Sequence, residues 1–134
     1  MGKFSSLTAA DGHSFNAYIA EPKGGVKGGL AVIQEIFGVN SHIRSVCDGF
    51  AADGYYCVAP ALFDRLQPGI DLGYSSEDVA KGRELRGRMN WPDCMKDVAA
   101  AVVAPAAPVP EVHVLATGGT AEEVGLGAHD LVPV

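Results

Sequence analysis

Short apolar runs and helical stripes succeed one another along the first hundred residues of this chain. Residues 3–8 and 15–20 read as two short strands, and Asp11-Gly12 between them supplies the positive φ that a hairpin turn wants. The glycine-rich stretch 24–29 precedes a strand instead of opening a helix, so it reads as a linker and not as a phosphate-cradling loop. Leu30-Ala31-Val32-Ile33 is continuously apolar, which suits a strand buried on both faces. Asn40 or Ser41 can cap a helix that runs to about Asp53, with Ile43, Val46, Cys47, Phe50 and Ala51 on one stripe. Gly54 stands where a helix-ending glycine belongs, and Tyr55 to Ala59 forms the next strand, stopped by Pro60. Such a strand–helix–strand unit predicts a parallel pair with a right-handed crossover.

Residues 61–75 read as a long loop. Ser75-Ser76-Glu77-Asp78 has N-cap chemistry and opens a helix to about Met89, weakened at Gly82 and Gly87 by about 1 kcal/mol each relative to alanine. Trp91-Pro92 begins another helix, whose stripe is Met95, Val98, Ala99 and Val102. The composition changes after Val103. Lys96 is the last basic residue, and the tract that follows holds Pro105, Pro108, Pro110 and Pro133 among alanines, glycines and valines. Glu111 to Ala116 is compatible with a strand; the rest has weak periodicity, and no internal repeat is present.

Composition narrows the possibilities without choosing among them. The 134 residues suffice for a domain with a core, and a hydrophobic fraction of 48% argues against disorder throughout. A net charge of −6 with no Lys/Arg-rich run disfavours nucleic acid and anionic membrane surfaces as partners. No apolar stretch reaches membrane-spanning length, and the first dozen residues do not form a secretory signal. Cys47, Cys57 and Cys94 are odd in number, widely spaced and without a CxxC, which is neither a disulfide framework nor a zinc site. A reducing cytoplasm is the expected location.

One residue attracts chemical interest by position. Ligands of open α/β sheets bind beyond the carboxyl ends of the strands, and Glu35 follows directly on the apolar strand there. A carboxylate in that place suits a general base or a proton-holding partner. Position alone also allows a merely solvated strand end.

The wording of the segment adds to this. Gln34-Glu35-Ile36-Phe37-Gly38-Val39-Asn40, then His42-Ile43-Arg44, resembles the corresponding stretch of dienelactone hydrolases. Ala52-Asp53-Gly54-Tyr55 leading to Ala59-Pro60-Ala61-Leu62-Phe63 resembles them too. Gly82-Arg83-Glu84-Leu85 and Asp97-Val98-Ala99-Ala100-Ala101-Val102 continue the likeness in register, over roughly residues 5–103. The resemblance implies an α/β-hydrolase-type fold, a three-layer α/β sandwich present only as its N-terminal strands and helices. It implies hydrolysis of a small-molecule ester or lactone by a Cys–His–Asp triad, with the Cys on a G-x-C-x-G elbow. Glu35 would help generate the thiolate, and the Ile36 N–H would help form the oxyanion hole. Among Arg83, Arg86 and Arg88, substrate carboxylate contacts stay open beside the alternative of exposed helix arginines. No metal or organic cofactor is expected, because side chains and water suffice for this chemistry.

The pattern then breaks. No G-x-C-x-G occurs. If Gly118-Gly119-Thr120 is matched to the glycines after the elbow, Ala116 takes the nucleophile position. The three cysteines read as buried small hydrophobes, Cys94 having the best case otherwise through the helix dipole. His13, His42 and His113 read as turn, first-turn and strand residues, and His129-Asp130 lacks a nucleophile to serve. Residues 1–103 are therefore expected to form the N-terminal part of a hydrolase domain. Residues 104–134 form an atypical Pro/Ala/Gly-rich tail, either a reading-frame or gene-model artefact, which is the favoured explanation, or the end of a truncated relative. The chain by itself is expected to be inactive. The rival expectation is a non-catalytic binding or interaction fragment that pairs through an exposed sheet edge.

Overall fold

In a computed structural model that describes residues 2–105, 109 and 111–116, five strands form one mixed sheet. The strands are β1 (Lys3–Thr8), β2 (Ser14–Ala20), β3 (Gly28–Ile33), β4 (Tyr55–Pro60) and β5 (Val112–Ala116), in the spatial order β1-β2-β4-β3-β5. β1 and β2 make the expected hairpin, and β2 runs antiparallel to β4. β3 is parallel to both β4 and β5. The helices are α1 (Ser41–Ala52), α2 (Ser76–Gly87) and α3 (Trp91–Val102), and a 3-10 turn spans Leu62–Arg65.

The pleat sorts side chains to two faces. Val32, Cys57, Ala59, Tyr18 and Ala20 pack with Ile43, Cys47 and Ala51 of α1. Ala31, Tyr56, Val58, Phe15 and Ala17 pack on the other side with Ala101 of α3. The result is the three-layer α/β sandwich that the resemblance implies, with the strand of run 30–33 covered on both faces as its apolar pattern predicts. α1 begins as its sequence dictates: Asn40 has extended backbone, and its Oδ1 accepts from the Ile43 N–H at 3.1 Å.

Two details differ from the sequence reading. Gly28 and Gly29 belong to β3 and not to a linker. A Cβ on Gly29 would stand 2.9 Å from Val112 Cγ2, so the bare position is what lets β5 lie close. The loop after Pro60 is also less loose than its glycines suggest. Leu62, Phe63 and Asp64 are buried in the 3-10 turn, where Asp64 accepts from the backbone N–H groups of Asn16 (2.8 Å) and Gly69 (3.2 Å).

Candidate active site

β3 ends at Ile33, and the chain leaves the sheet through Gln34 and Glu35. Gln34 is buried and tied at both ends of its amide: Oε1 accepts from the Leu62 N–H at 2.8 Å, and Nε2 donates to the Glu35 carbonyl at 3.1 Å. These bonds fasten the exit of β3 to the exit of β4. Glu35 to Gly38 then form a turn closed by the Gly38 N–H on the Glu35 carbonyl at 3.3 Å. Gly38 has φ +82°, and a Cβ there would collide with the Ile70 carbonyl oxygen, so the position needs glycine twice over.

A second strip of chain straps this turn from outside. The Leu72 N–H donates to the Phe37 carbonyl at 2.9 Å. Arg44 Nη1 donates to the Val39 carbonyl (2.8 Å) and to Asp71 Oδ2 (3.1 Å). Asn40 Nδ2 donates to the Tyr74 hydroxyl at 3.2 Å, and the Phe37 and Tyr74 rings meet edge to face at 4.6 Å. On the remaining side α2 rests on Ile36 through Gly82, whose missing side chain leaves room for the Ile36 carbonyl.

Glu35 and Ile36 thus sit, half-buried, beyond the carboxyl end of β3. Among the described residues no hydrogen bond or ion pair holds the Glu35 carboxylate, and no acceptor takes the Ile36 N–H. In the parallel β3–β5 register Ile33 faces Ala116, so position 116 ends its strand at the same sheet edge. A cavity of about 270 Å³ lies on the strapped side, bordered by Phe4, Asn16, Val39, Arg44 and Ile70; Glu35 does not line it.

The other candidates are buried, exposed on helices or already engaged. All three cysteines are buried. Burial pushes the Cys47 and Cys57 thiols up to about 12, with the nearby Asp48 acting in the same direction. Cys94 is pushed up to about 11, again mainly by burial and then by Asp97, against a smaller opposing pull from Arg65. At neutral pH these are uncharged thiols, poor nucleophiles. His42 is exposed on the first turn of α1, and His113 Nε2 lies 3.0 Å from Glu111 on β5. His13 stacks on Phe15 with a buried, unpartnered Nε2 in the hairpin turn. Arg83 is exposed on α2, Arg86 is exposed there with a contact of its own, and Arg88 pairs with Glu84 at 3.3 Å. His129 and Asp130 lie outside the described residues. Among the described residues no group of three His, Cys, Asp or Glu side chains could hold a metal ion, and no helix is long and apolar enough to cross a membrane.

The strap was not foreseen. Its donors and acceptors come from a loop some thirty residues downstream (Asp71, Leu72, Tyr74), which the sequence marks only as a long connection.

Comparison with known proteins bears on family and fold. The model of the dienelactone hydrolase family matches residues 15–118. A protein of Synechocystis sp. whose name assigns it to the carboxymethylenebutenolidases is 41% identical over 110 residues, 81% of this chain and 42% of the relative. Carboxymethylenebutenolidase of Pseudomonas putida is 35% identical over 72 residues, 54% of this chain and 30% of the relative. The chain therefore spans less than half the length of these curated relatives. A solved structure from Klebsiella pneumoniae, assigned to the dienelactone hydrolases, superposes with a TM-score of 0.70 at 24% identity, over 87% of this chain and 49% of the other; that likeness speaks for the fold.

Proposed function

The chain belongs to the dienelactone hydrolase family, and from that premise we propose that it carries the supporting half of a carboxylic-ester hydrolase site of the carboxymethylenebutenolidase type. Glu35 is the proton-accepting partner of the nucleophile, and the Ile36 N–H is a donor to the oxyanion that forms when an ester or lactone carbonyl is attacked. Arg83, Arg86 and Arg88 are the candidate contacts for a substrate carboxylate. The substrate is a small molecule, the compartment is the cytoplasm, and neither cofactor nor nucleic acid is involved. Residues 1–103 are the N-terminal part of the hydrolase domain, and residues 104–134 are an atypical tail. A Cys–His–Asp triad opens the ring in the longer members of the family. With Gly118-Gly119-Thr120 matched to the glycines after the elbow, Ala116 takes the nucleophile position; an alanine cannot attack, and on this reading the chain alone is inactive.

The observation that carries this reading is the register Ile33–Ala116. It puts position 116 at the sheet edge from which Glu35 and Ile36 leave β3, and among the described residues the Glu35 carboxylate and the Ile36 N–H have no partner, which supports the reading.

The test restores what is absent. In the variant Ala116→Cys, alkylation by iodoacetamide near neutral pH is compared with and without Glu35→Gln, alongside hydrolysis of p-nitrophenyl acetate. A Glu35 that takes the thiol proton makes the double variant slower to alkylate than Ala116→Cys by about tenfold. A Glu35 that merely adds negative charge makes it faster, because removing a neighbouring charge lowers the thiol pKa; that result sinks the assignment. So does ester turnover in the unmodified chain that Glu35→Gln leaves untouched.

A second reading has one observation in its favour. Among the described residues β5 ends the sheet, and no strand pairs with its outer edge. An open edge of this kind can accept a strand from another chain, which would make the protein a non-catalytic interaction fragment. Sedimentation of the purified chain separates the readings: a stoichiometric complex without esterase activity in any variant favours the fragment.

A further inference from the structure

We propose that Gly82 is a positioning residue for the Ile36 peptide: the bare Cα of α2 is what holds the turn beyond β3 at its working place. The proposal rests on the reading of Ile36 as an oxyanion donor. In the sequence Gly82 counts only as a weak point of a helix. In the fold it is buried, and the three atoms nearest to a Cβ built on it all belong to Ile36. They are the carbonyl oxygen, which it would strike, the carbonyl carbon at 3.1 Å and the Ile36 Cβ at 3.2 Å. Gly87 is exposed on the same helix, and a Cβ there would meet nothing within 4 Å. The two glycines cost the helix alike in propensity and differ in what stands before them.

The turn cannot retreat freely from a methyl group at 82. Gly38 is backed against the Ile70 carbonyl, Phe37 accepts from Leu72, and the Phe37 ring leans on Tyr74. Packed interiors do not absorb an added methyl without a shift of side chains or backbone. Either the Ile36–Phe37 peptide turns, shifting the Ile36 Cα and with it the donor N–H, or α2 lifts. Both change the spacing between Ile36 and Arg83, the next residue of the helix. The close approach at Gly82 therefore sets two distances at once, that of the oxyanion donor from the sheet edge and that of the neighbouring arginine from the donor. An error of about 1 Å in such a distance typically costs around a hundredfold in rate.

The experiment compares Gly82→Ala with Gly87→Ala in the full chain, by amide nitrogen–proton spectra and thermal unfolding. Gly87→Ala is expected to raise the midpoint slightly and leave the Ile36 and Phe37 amide resonances in place. Gly82→Ala is expected to move both resonances while those of β2 and α3 stay put. In the Ala116→Cys background it slows the single-turnover acylation of the introduced thiol by p-nitrophenyl acetate by about tenfold or more, with the half-saturating ester concentration within about twofold. A purely structural cost would leave that split and the local shifts unseen. Gly82→Ala that behaves like Gly87→Ala, with Ile36 unmoved, overturns the proposal. If Gly82→Ala does not fold, the unmodified chain decides: a nuclear Overhauser contact between the Gly82 Hα and Ile36 Hβ protons supports it, and no such contact overturns it. Displaced Ile36 resonances together with alkylation of Ala116→Cys that Glu35→Gln does not slow uphold the positioning and sink the site reading, so the two fail separately.

Discussion

Asp97 and Glu35 are both carboxylates beside the sheet, and the molecule treats them in opposite ways. The Asp97 side chain is fully buried, and Arg65 grips both of its oxygens, Nε to Oδ2 at 2.9 Å and Nη2 to Oδ1 at 2.8 Å. The same guanidinium reaches both oxygens of Asp11, at 2.8 and 3.2 Å. One planar fork thereby knots the β1–β2 turn, the 3-10 turn and α3, a use for which arginine is better shaped than lysine. Glu35 is half-buried and held by none of the described residues. A buried polar group that serves architecture is saturated with partners. A carboxylate left unsaturated at the carboxyl edge of a parallel pair is available to something that arrives from outside.

The comparison breaks most visibly at Asp97. Asp97→Ala leaves Arg65 half-buried with one partner instead of two, and unfolding in urea should report a loss of about 3 kcal/mol. A loss below about 1 kcal/mol would mean that the knot is ornamental.

Acid is the next probe. The hydrogen bonds from Arg65, first among the causes, hold the Asp11 carboxyl well below its ordinary value of 3.8. A carboxyl whose folded pKa is depressed stabilises the fold above the unfolded value and loses that contribution as pH falls through the folded one. Stability measured from neutral pH downwards should therefore fall below about pH 4. Asp11→Asn, less stable than wild type at neutral pH, should show a shallower acid limb. Parallel limbs in the two proteins would exclude Asp11 as its source.

The smallest effect is expected at the other carboxylate. Glu35→Gln breaks no bond within the described residues, so its unfolding free energy should stay within about 0.5 kcal/mol of wild type. A drop comparable with that of Asp97→Ala would show Glu35 to be part of the architecture, and the contrast would vanish.

Much of the frame could be read in advance because it is written locally. The apolar run 30–33 announced a strand covered on both faces, and Asn40, the stripe from Ile43 to Ala51 and Gly54 marked the limits of α1 within a residue. Glu35 and Ile36 were placed at the strand end by adjacency alone. What stayed hidden depends on residues far apart in the chain. Nothing near Asp97 in sequence points to Arg65 or Asp11. Gly29 looked like linker because the Val112 side chain that needs its space belongs to a distant strand. Gly82 reads in the same way as a weak point of its own helix, because the carbonyl it accommodates lies on another element.

The pairing of β5 with β3 carries a consequence for the order of events during folding. β1 with β2 and β3 with β4 each join neighbours in the chain, whereas β5 finds β3 only after α1, β4, α2 and α3 have been strung between them. Closing so long a loop is the most entropically expensive of the strand pairings and slows any route that depends on it. The sheet edge shared by the end of β3 and position 116 is therefore the part of the described structure whose completion waits longest, and a nascent chain would carry the other four strands of the sheet well before that edge was closed.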